Sequence, residues 1–361
     1  MDPRIERHAS ILVEHSTRVE PGDKVLVSAP PVAEDLVVAL YEKLGEIGAR
    51  PTLSMRSDRA RRAFLRASDP EEFGLNEHSL ARIEETDVAI GIRGGTNTNE
   101  LGDVDPGTIA AFGRVQKPIS DEYTEKRWVG TQYPAPGNAQ EAEMSTAAYE
   151  EFVYNAVNRD WEAQREFQSR LVELLDPASE VRIESGDTTD LTMSVEGMIA
   201  VNDYGEKNLP GGEVFTAPVP DSVEGEVLFD KPLVTRGREI TDASLEFEAG
   251  EVVAHSAVKN EELLTEILGT DDGARRLGEL GIGMNRGIDR FTHNMLFDEK
   301  MGDTVHMAIG RTIDETVPDG RSGNESAVHV DMIVDMSEDS RIEIDGDVVQ
   351  EDGTFVFEDD N

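Results

Sequence analysis

Two imidazoles and three carboxylates in the second half of the chain are the side chains best placed to do chemistry. Glu213 lies in NLPGGEVFTAP, Glu279 in RRLGELGIGMN, His306 in GDTVHMAIG, and His329 with Asp331 in SAVHVDMIV. All five are good metal ligands. The set is too rich in oxygen for a structural zinc site, which favours thiolates. It suits a pair of divalent metal ions in a hydrolase.

The local patterns say which elements must carry these groups. In Ser326–Met336, Val328, Val330, Met332 and Val334 alternate with His329, Asp331 and Ile333. Such alternation predicts a half-buried strand with His329 and Asp331 on one face, separated by roughly 6.6 Å along it. In Thr304–Gly310, Val305, Met307 and Ile309 oppose His306, Ala308 and Gly310, so small neighbours beside His306 leave room for an ion and a substrate. Gly281 and Gly283 alternate with Leu280, Ile282 and Met284, which leaves Glu279 on an almost bare face. Glu213 follows the turn signal Gly211-Gly212 and leads a short apolar run into Pro218. Among 75 acidic residues any one Glu is ordinarily a solvated charge, and a lone strand His is ordinarily a hydrogen-bonded core residue. The His329–Asp331 pair resists that reading, because burying both without a metal or other partners is costly.

Composition narrows the partners and the compartment. The chain has 361 residues, room for two ordinary domains, and 34 basic against 75 acidic residues give a net charge of −41. Phosphate neutralisation needs clustered Lys and Arg, so no nucleic acid is expected as a partner, and no membrane surface either. The acidic excess runs along the whole chain. Self-repulsion of this size destabilises a compact state at low ionic strength, and molar salt shortens the Debye length to about 3 Å. A halophilic source and a salt-dependent fold follow as expectations. An identical melting temperature in dilute buffer and in molar potassium chloride would contradict them. Cysteine is absent, which excludes disulfides and thiolate metal sites. With no apolar run of membrane-spanning length and no signal-peptide core in MDPRIERHASILVEH, the expected localisation is cytoplasmic.

The remaining pattern predicts an α/β fold class: an N-terminal α/β domain (1–178) with a mainly parallel sheet, and a C-terminal β-rich α+β domain (179–361) carrying the metal ligands. Helices are expected over Ile5–Val19 and Val32–Ile47, with strands at Lys24–Ala29, Thr52–Met55 and Asp87–Ile92. Ala139–Leu175 reads as helical, broken near Asn158. From Val181 onward short alternating runs dominate, interrupted by one helix near Asn260–Leu268, and the boundary falls in DPASE. GIRGGTNTNELG matches neither GxGxxG nor a phosphate-binding loop with its lysine, and reads as a plain loop. No GxSxG, HExxH or HxxEH is present. His8, His15, His78 and His255 lack a ligand pattern and read as structural or surface residues. His293 is placed in a loop. Asp298 and Glu299 are as readily surface charge as groups that orient ligands or hold a substrate amine.

The segments NLPGGEVFTAP, LGELGIGMN, NMLFDEK with TVHMAIG, and SAVHVDMI together resemble the M29 metallopeptidases, the aminopeptidase T and AmpS-like group, also called thermophilic or leucyl aminopeptidases. A weaker likeness reaches the N-terminal VEPGDKVLVSAPPVAEDLVVALYEKLGEIGARPTLSM. The resemblance implies a cocatalytic pair of divalent metal ions held by Glu213, Glu279, His306, His329 and Asp331. It implies catalytic roles for Glu213 and Glu279, peptide substrates opened from the N-terminus, and a homodimer. Zinc, cobalt, manganese and iron all suit carboxylate–imidazole ligands. One position departs from the family: Ile313 stands where a functional tyrosine is expected seven residues after His306, and the last tyrosine of the chain is Tyr204. Arg311 and Thr312 are the nearby polar substitutes. The departure supports a second reading, a protein of this type that binds metal or peptide without turnover.

Overall fold

The computed structural model describes residues 1–235 and 238–358. It divides into two compact units. The first holds Met1–Arg159 with Gly205–Gly211, and the second holds Asp160–Tyr204 with Gly212–Asn361.

The first unit is built on a five-stranded parallel sheet. Its strands run in the order Arg50–Met55, Lys24–Ala29, Val88–Arg93, Arg127–Gln132 and Asn208–Leu209. The inner strands are continuous apolar runs, as expected where helices cover both faces: Val25, Val27, Val88, Ile90 and Ile92 are all buried. Helix Glu34–Ile47 buries Leu36, Leu40 and Leu44, and it ends where Gly48 adopts the left-handed conformation (φ +82°) that few other residues tolerate. The expected first helix spans Pro3–Ser10 and continues as a π-helical turn to Ser16. The region 139–175 breaks twice, giving Pro136–Glu141, Thr146–Val157 and Trp161–Leu175.

The second unit is antiparallel, and one hydrophobic cluster from Leu171 to Phe355 runs through it. An eight-stranded sheet is ordered Glu251–Ser256, Ala243–Glu248, Glu224–Phe229, Thr189–Ser194, Glu180–Ser185, Ser340–Ile344, Asp347–Glu351, Thr354–Phe355. A five-stranded sheet follows the order His329–Asp335, Thr304–Gly310, Leu277–Gly283, Glu213–Thr216, Val201–Asp203. The parallel-then-antiparallel organisation agrees with the predicted fold class.

The units divide at 159/160, earlier than the composition change near residue 178 suggests. Helix Trp161–Leu175 belongs with the second unit because Gln168, fully buried, reaches its strands. Its Nε2 lies 2.7 Å from the Glu213 carbonyl, 3.0 Å from that of Asp203 and 2.8 Å from Asn202 Oδ1. A helix and the β-strands it packs on differ in periodicity, so a composition boundary places them apart. Among the described residues no helix is long and apolar enough to cross a membrane.

Candidate metal centre

All five candidate ligands stand on one face of the five-stranded sheet, and strand register brings them together. Ala308 lies between Glu279 and Asp331, Gly310 lies opposite His329, and Gly283 lies opposite Glu213. His306 is flanked by Gly281 and Ile333. Paired residues share a face, so Glu213, Glu279, His306, His329 and Asp331 surround a floor of glycine and alanine. The opposite face carries Leu280, Ile282, Val305, Met307, Ile309, Met332 and Val334, all buried in the core. Core packing therefore fixes the register, and the register fixes the cluster.

Two glycines are sterically required. A Cβ at Gly281 would sit 2.0 Å from His306 Cε1 and 2.1 Å from its Nε2. Only glycine leaves the imidazole this place. At Gly278 the ladder slips by one residue, so Leu277 pairs with Ile309 but Glu279 pairs with Ala308. This bulge puts Leu277 in the core and Glu279 in the site, although strict alternation would give both the same face. A Cβ at Gly278 would meet the Gly310 carbonyl oxygen at 2.3 Å.

Distances divide the cluster into two halves that share Glu279. On one side His306 Nε2 lies 3.5 Å from Glu279 Oε1 and 3.3 Å from Glu213 Oε2. On the other, His329 Nε2 lies 3.1 Å from Glu279 Oε2 and 3.3 Å from Asp331 Oδ1. Donor atoms of Glu279, His329 and Asp331 all fall within 4.8 Å of one another. The Glu213 half is sealed, with side-chain exposures of 7% for Glu213 and 1% for His306; the other half opens outward, at 28% for His329 and 19% for Asp331.

Backbone carbonyls orient both rings. His306 Nδ1 lies 3.0 Å from the Glu299 carbonyl oxygen, and His329 Nδ1 lies 2.7 Å from that of Arg311. An Nδ1–H donating to a carbonyl turns the Nε2 lone pair inward, the arrangement a metal-binding histidine uses. Glu213 Oε2 is buried without a hydrogen-bond partner. Its Oε1 lies 3.0 Å from the ammonium of Lys300, which is wholly buried and also pairs with Glu299.

These contacts set the charges. Burial pushes the Glu213 carboxyl up, to about 8, against the pull of Lys300. Burial also raises Glu279, but its contacts with His306 and His329 outweigh that and hold it at about 2. Desolvation disfavours both imidazolium ions, yet the adjoining carboxylates win and lift His306 to about 9 and His329 to about 11. Lys300 is raised because Glu213 and Glu299 outweigh its desolvation. The cluster is a place that demands positive charge. An orphaned inward carboxylate oxygen, two inward Nε2 atoms and a glycine floor all fit a bound metal.

Other candidates resolve differently. Asp298 is buried, not surface charge: its Oδ1 accepts hydrogen bonds from the N–H and hydroxyl of Thr292, and burial lifts its carboxyl to about 7. His293 sits in a loop at φ +60° with its ring edge-on to Phe291. Thr312 is buried, and its hydroxyl oxygen accepts the Asn324 N–H. Arg311 turns its guanidinium to Asp314 and contributes only its carbonyl to His329. Lys300 escaped the sequence reading: NMLFDEK has no periodicity that marks its lysine as buried.

A family model described as thermophilic metalloprotease (M29) matches residues 1–359. Aminopeptidase T of Thermus thermophilus is 30% identical over 399 residues, covering 97% of this chain and 95% of its own. Aminopeptidase 2 of Geobacillus stearothermophilus is 27% identical over 394 residues, covering 96% and 94% respectively. The solved structure of wild-type AmpT from Thermus thermophilus matches with a TM-score of 0.87 at 26% identity, over 98% of this chain and 99% of that one.

Proposed function

This chain belongs to the thermophilic metalloprotease family M29, and from that premise we propose that it is a metal-dependent aminopeptidase using two divalent ions. The observation that carries the two-ion reading is the pair of distances from Glu279, whose Oε1 and Oε2 face different imidazoles at 3.5 and 3.1 Å. Glu213 and His306 would hold one ion, His329 and Asp331 the other, with Glu279 shared between them. Divalent ions in such a site acidify water and polarise a carbonyl.

The protein's own groups account for the rest. The Glu299 and Arg311 carbonyls fix the rings so that both Nε2 atoms point inward. Lys300 holds Glu213 Oε1, leaving Oε2 as the atom that would hold the ion beside His306. The sealed Glu213 half keeps bulk water out, and the open half at His329 and Asp331 is where a peptide would enter. A carboxylate at that rim would meet a free α-amino group, which explains a preference for chain ends.

Metal analysis combined with hydrolysis of an aminoacyl amide panel in molar salt tests this. We expect two divalent ions per chain, cleavage of substrates with a free amine, no cleavage of their N-acetylated forms, and loss of activity on chelation. Full activity in thoroughly chelated protein would reject it. Ile313 favours a second reading, metal and peptide binding without turnover. Two bound ions with no hydrolysis of any panel member would support that instead. The family resemblance further supports a homodimer, for which light scattering should give twice the 39.7 kDa chain mass.

A further inference from the structure

In the first unit the carboxyl ends of the parallel strands open into a cleft of about 590 Å³. The chain lays down Lys24–Ala29, moves outward to Arg50–Met55, then crosses back to place Val88–Arg93 on the other side of Lys24–Ala29. The strand order reverses between Lys24–Ala29 and Val88–Arg93, and open α/β sheets bind ligands outside the strand ends at such a point. The residues that follow the three strands form the walls: Pro30 after the first, Arg56 after the second, Gly94 and Gly95 after the third.

The cleft is basic in a strongly acidic chain. Arg56, Arg61 and Arg93 all line it, and among the described residues none is ion-paired with a carboxylate. Nearby Arg62 and Arg66 do find such a partner in Asp103. Arg56 instead donates to the Ile92 carbonyl. Loss of solvent is the main force lowering its pKa; Tyr123 and Asp58 pull it back up, and Arg93 and Arg61 push it down by less. Two carboxylates also line the cleft and offset part of its positive charge. Glu100 accepts from the Asn97 amide at 3.0 Å, and Asp58 opens helix Asp58–Ala67, where the positive end of the helix favours it. Although the chain has 75 acidic residues, these three exposed guanidinium groups line one cleft with no carboxylate ion-paired to them among the described residues. Guanidinium groups suit that task, because their planar fork grips two oxygens of one phosphate or carboxylate. Gly94 and Gly95 present backbone with no side chain in the way.

We propose that this cleft binds an oxyanion, a small molecule whose phosphate or carboxylate group is held by Arg56 and Arg93 with Arg61 adding charge. The residues that line the cleft all belong to the first unit.

Calorimetric titration of the metal-loaded protein with inorganic phosphate and, separately, with succinate at fixed potassium chloride tests this. Wild type should bind at least one of the two saturably. Arg93→Gln should weaken that binding at least tenfold, and Arg56→Gln/Arg93→Gln should abolish it, with metal content and aminoacyl hydrolysis unchanged. The Arg93 side chain makes no hydrogen bond among the described residues, so the single variant keeps the test valid if the double variant folds poorly. Phosphate alone binding assigns a phosphoryl ligand, and succinate alone assigns a carboxylate. No binding by wild type, or binding that is the same in wild type and Arg93→Gln, as for an anion seated on the metal centre, overturns the proposal.

Discussion

His8 and His306 are both fully buried imidazoles, one in each unit, and their surroundings drive them in opposite directions. His8 lies 2.8 Å from Thr131 Oγ1, and that hydroxyl donates to the Leu209 carbonyl, so Nε2 of His8 must carry the proton. Its Nδ1 is left without a partner. Burial alone then pushes the ring down to about 3. His306 reverses the arrangement: Nδ1 donates to a carbonyl, and Nε2 faces Glu213 and Glu279. Burial is as complete there, but the carboxylates lift the ring to about 9. A buried histidine is neutral core material or a cation site according to what faces its second nitrogen.

Removing the carboxylate that makes the difference is the harshest way to break this contrast. Glu279→Gln should lower hydrolysis by about 10³-fold or more and reduce bound metal, with the circular dichroism of the fold preserved. Wild-type turnover in that variant would show that the shared carboxylate is not part of the chemistry. A subtler change attacks the space, not the charge. Gly281→Ala places a methyl where the His306 ring now lies, 2.0 Å from Cε1. Metal affinity should drop by about 10- to 100-fold, as it does when a ligand's supporting contacts are lost. Unaltered affinity on competition against a chelator would mean the ring need not hold this orientation.

The smallest effect sharpens the other side. The folded pKa of His8, about 3, lies below the ordinary value of 6.5. The unfolded chain therefore binds a proton that the fold refuses, and stability is full above 6.5 and falls as the pH drops towards 3. The slope is about 1.4 kcal/mol per pH unit, so ~2 kcal/mol should be lost between pH 6.5 and 5. Glu213 and Asp298, lifted to about 8 and 7, act in the opposite sense over the same range, so the His8 part is the difference between two proteins. His8→Gln should gain stability relative to wild type as the pH falls from 6.5 to 5, and parallel urea-midpoint profiles for the two would place a proton on His8 in the fold.

The strands that carry the candidate ligands were legible because an antiparallel sheet with one buried face writes a period of two into its residues. Val305, Met307 and Ile309 against His306, Ala308 and Gly310 is such a record. Lys24–Ala29 and Glu34–Ile47 were legible for similar reasons, an apolar run in one case and a left-handed glycine cap in the other. Lys300 was not, since nothing local distinguishes a buried lysine from a solvated one. The bulge at Gly278 was not, since it depends on the partner strand. GIRGGTNTNELG is a loop, as expected, but its role as a cleft wall depends on Arg56 arriving from another strand end.

The sequence by itself determined the types of the candidate ligands, the alternation that keeps them off the core face, and the strongly acidic net charge. These are properties of single segments, written in composition and period. Tertiary structure decided the pairing of Glu279 with two separate imidazoles, the arrangement of each ring and the meeting of three arginines over one sheet edge. Each of these depends on the register and order of strands far apart in the chain, and such contacts form only when the whole core packs.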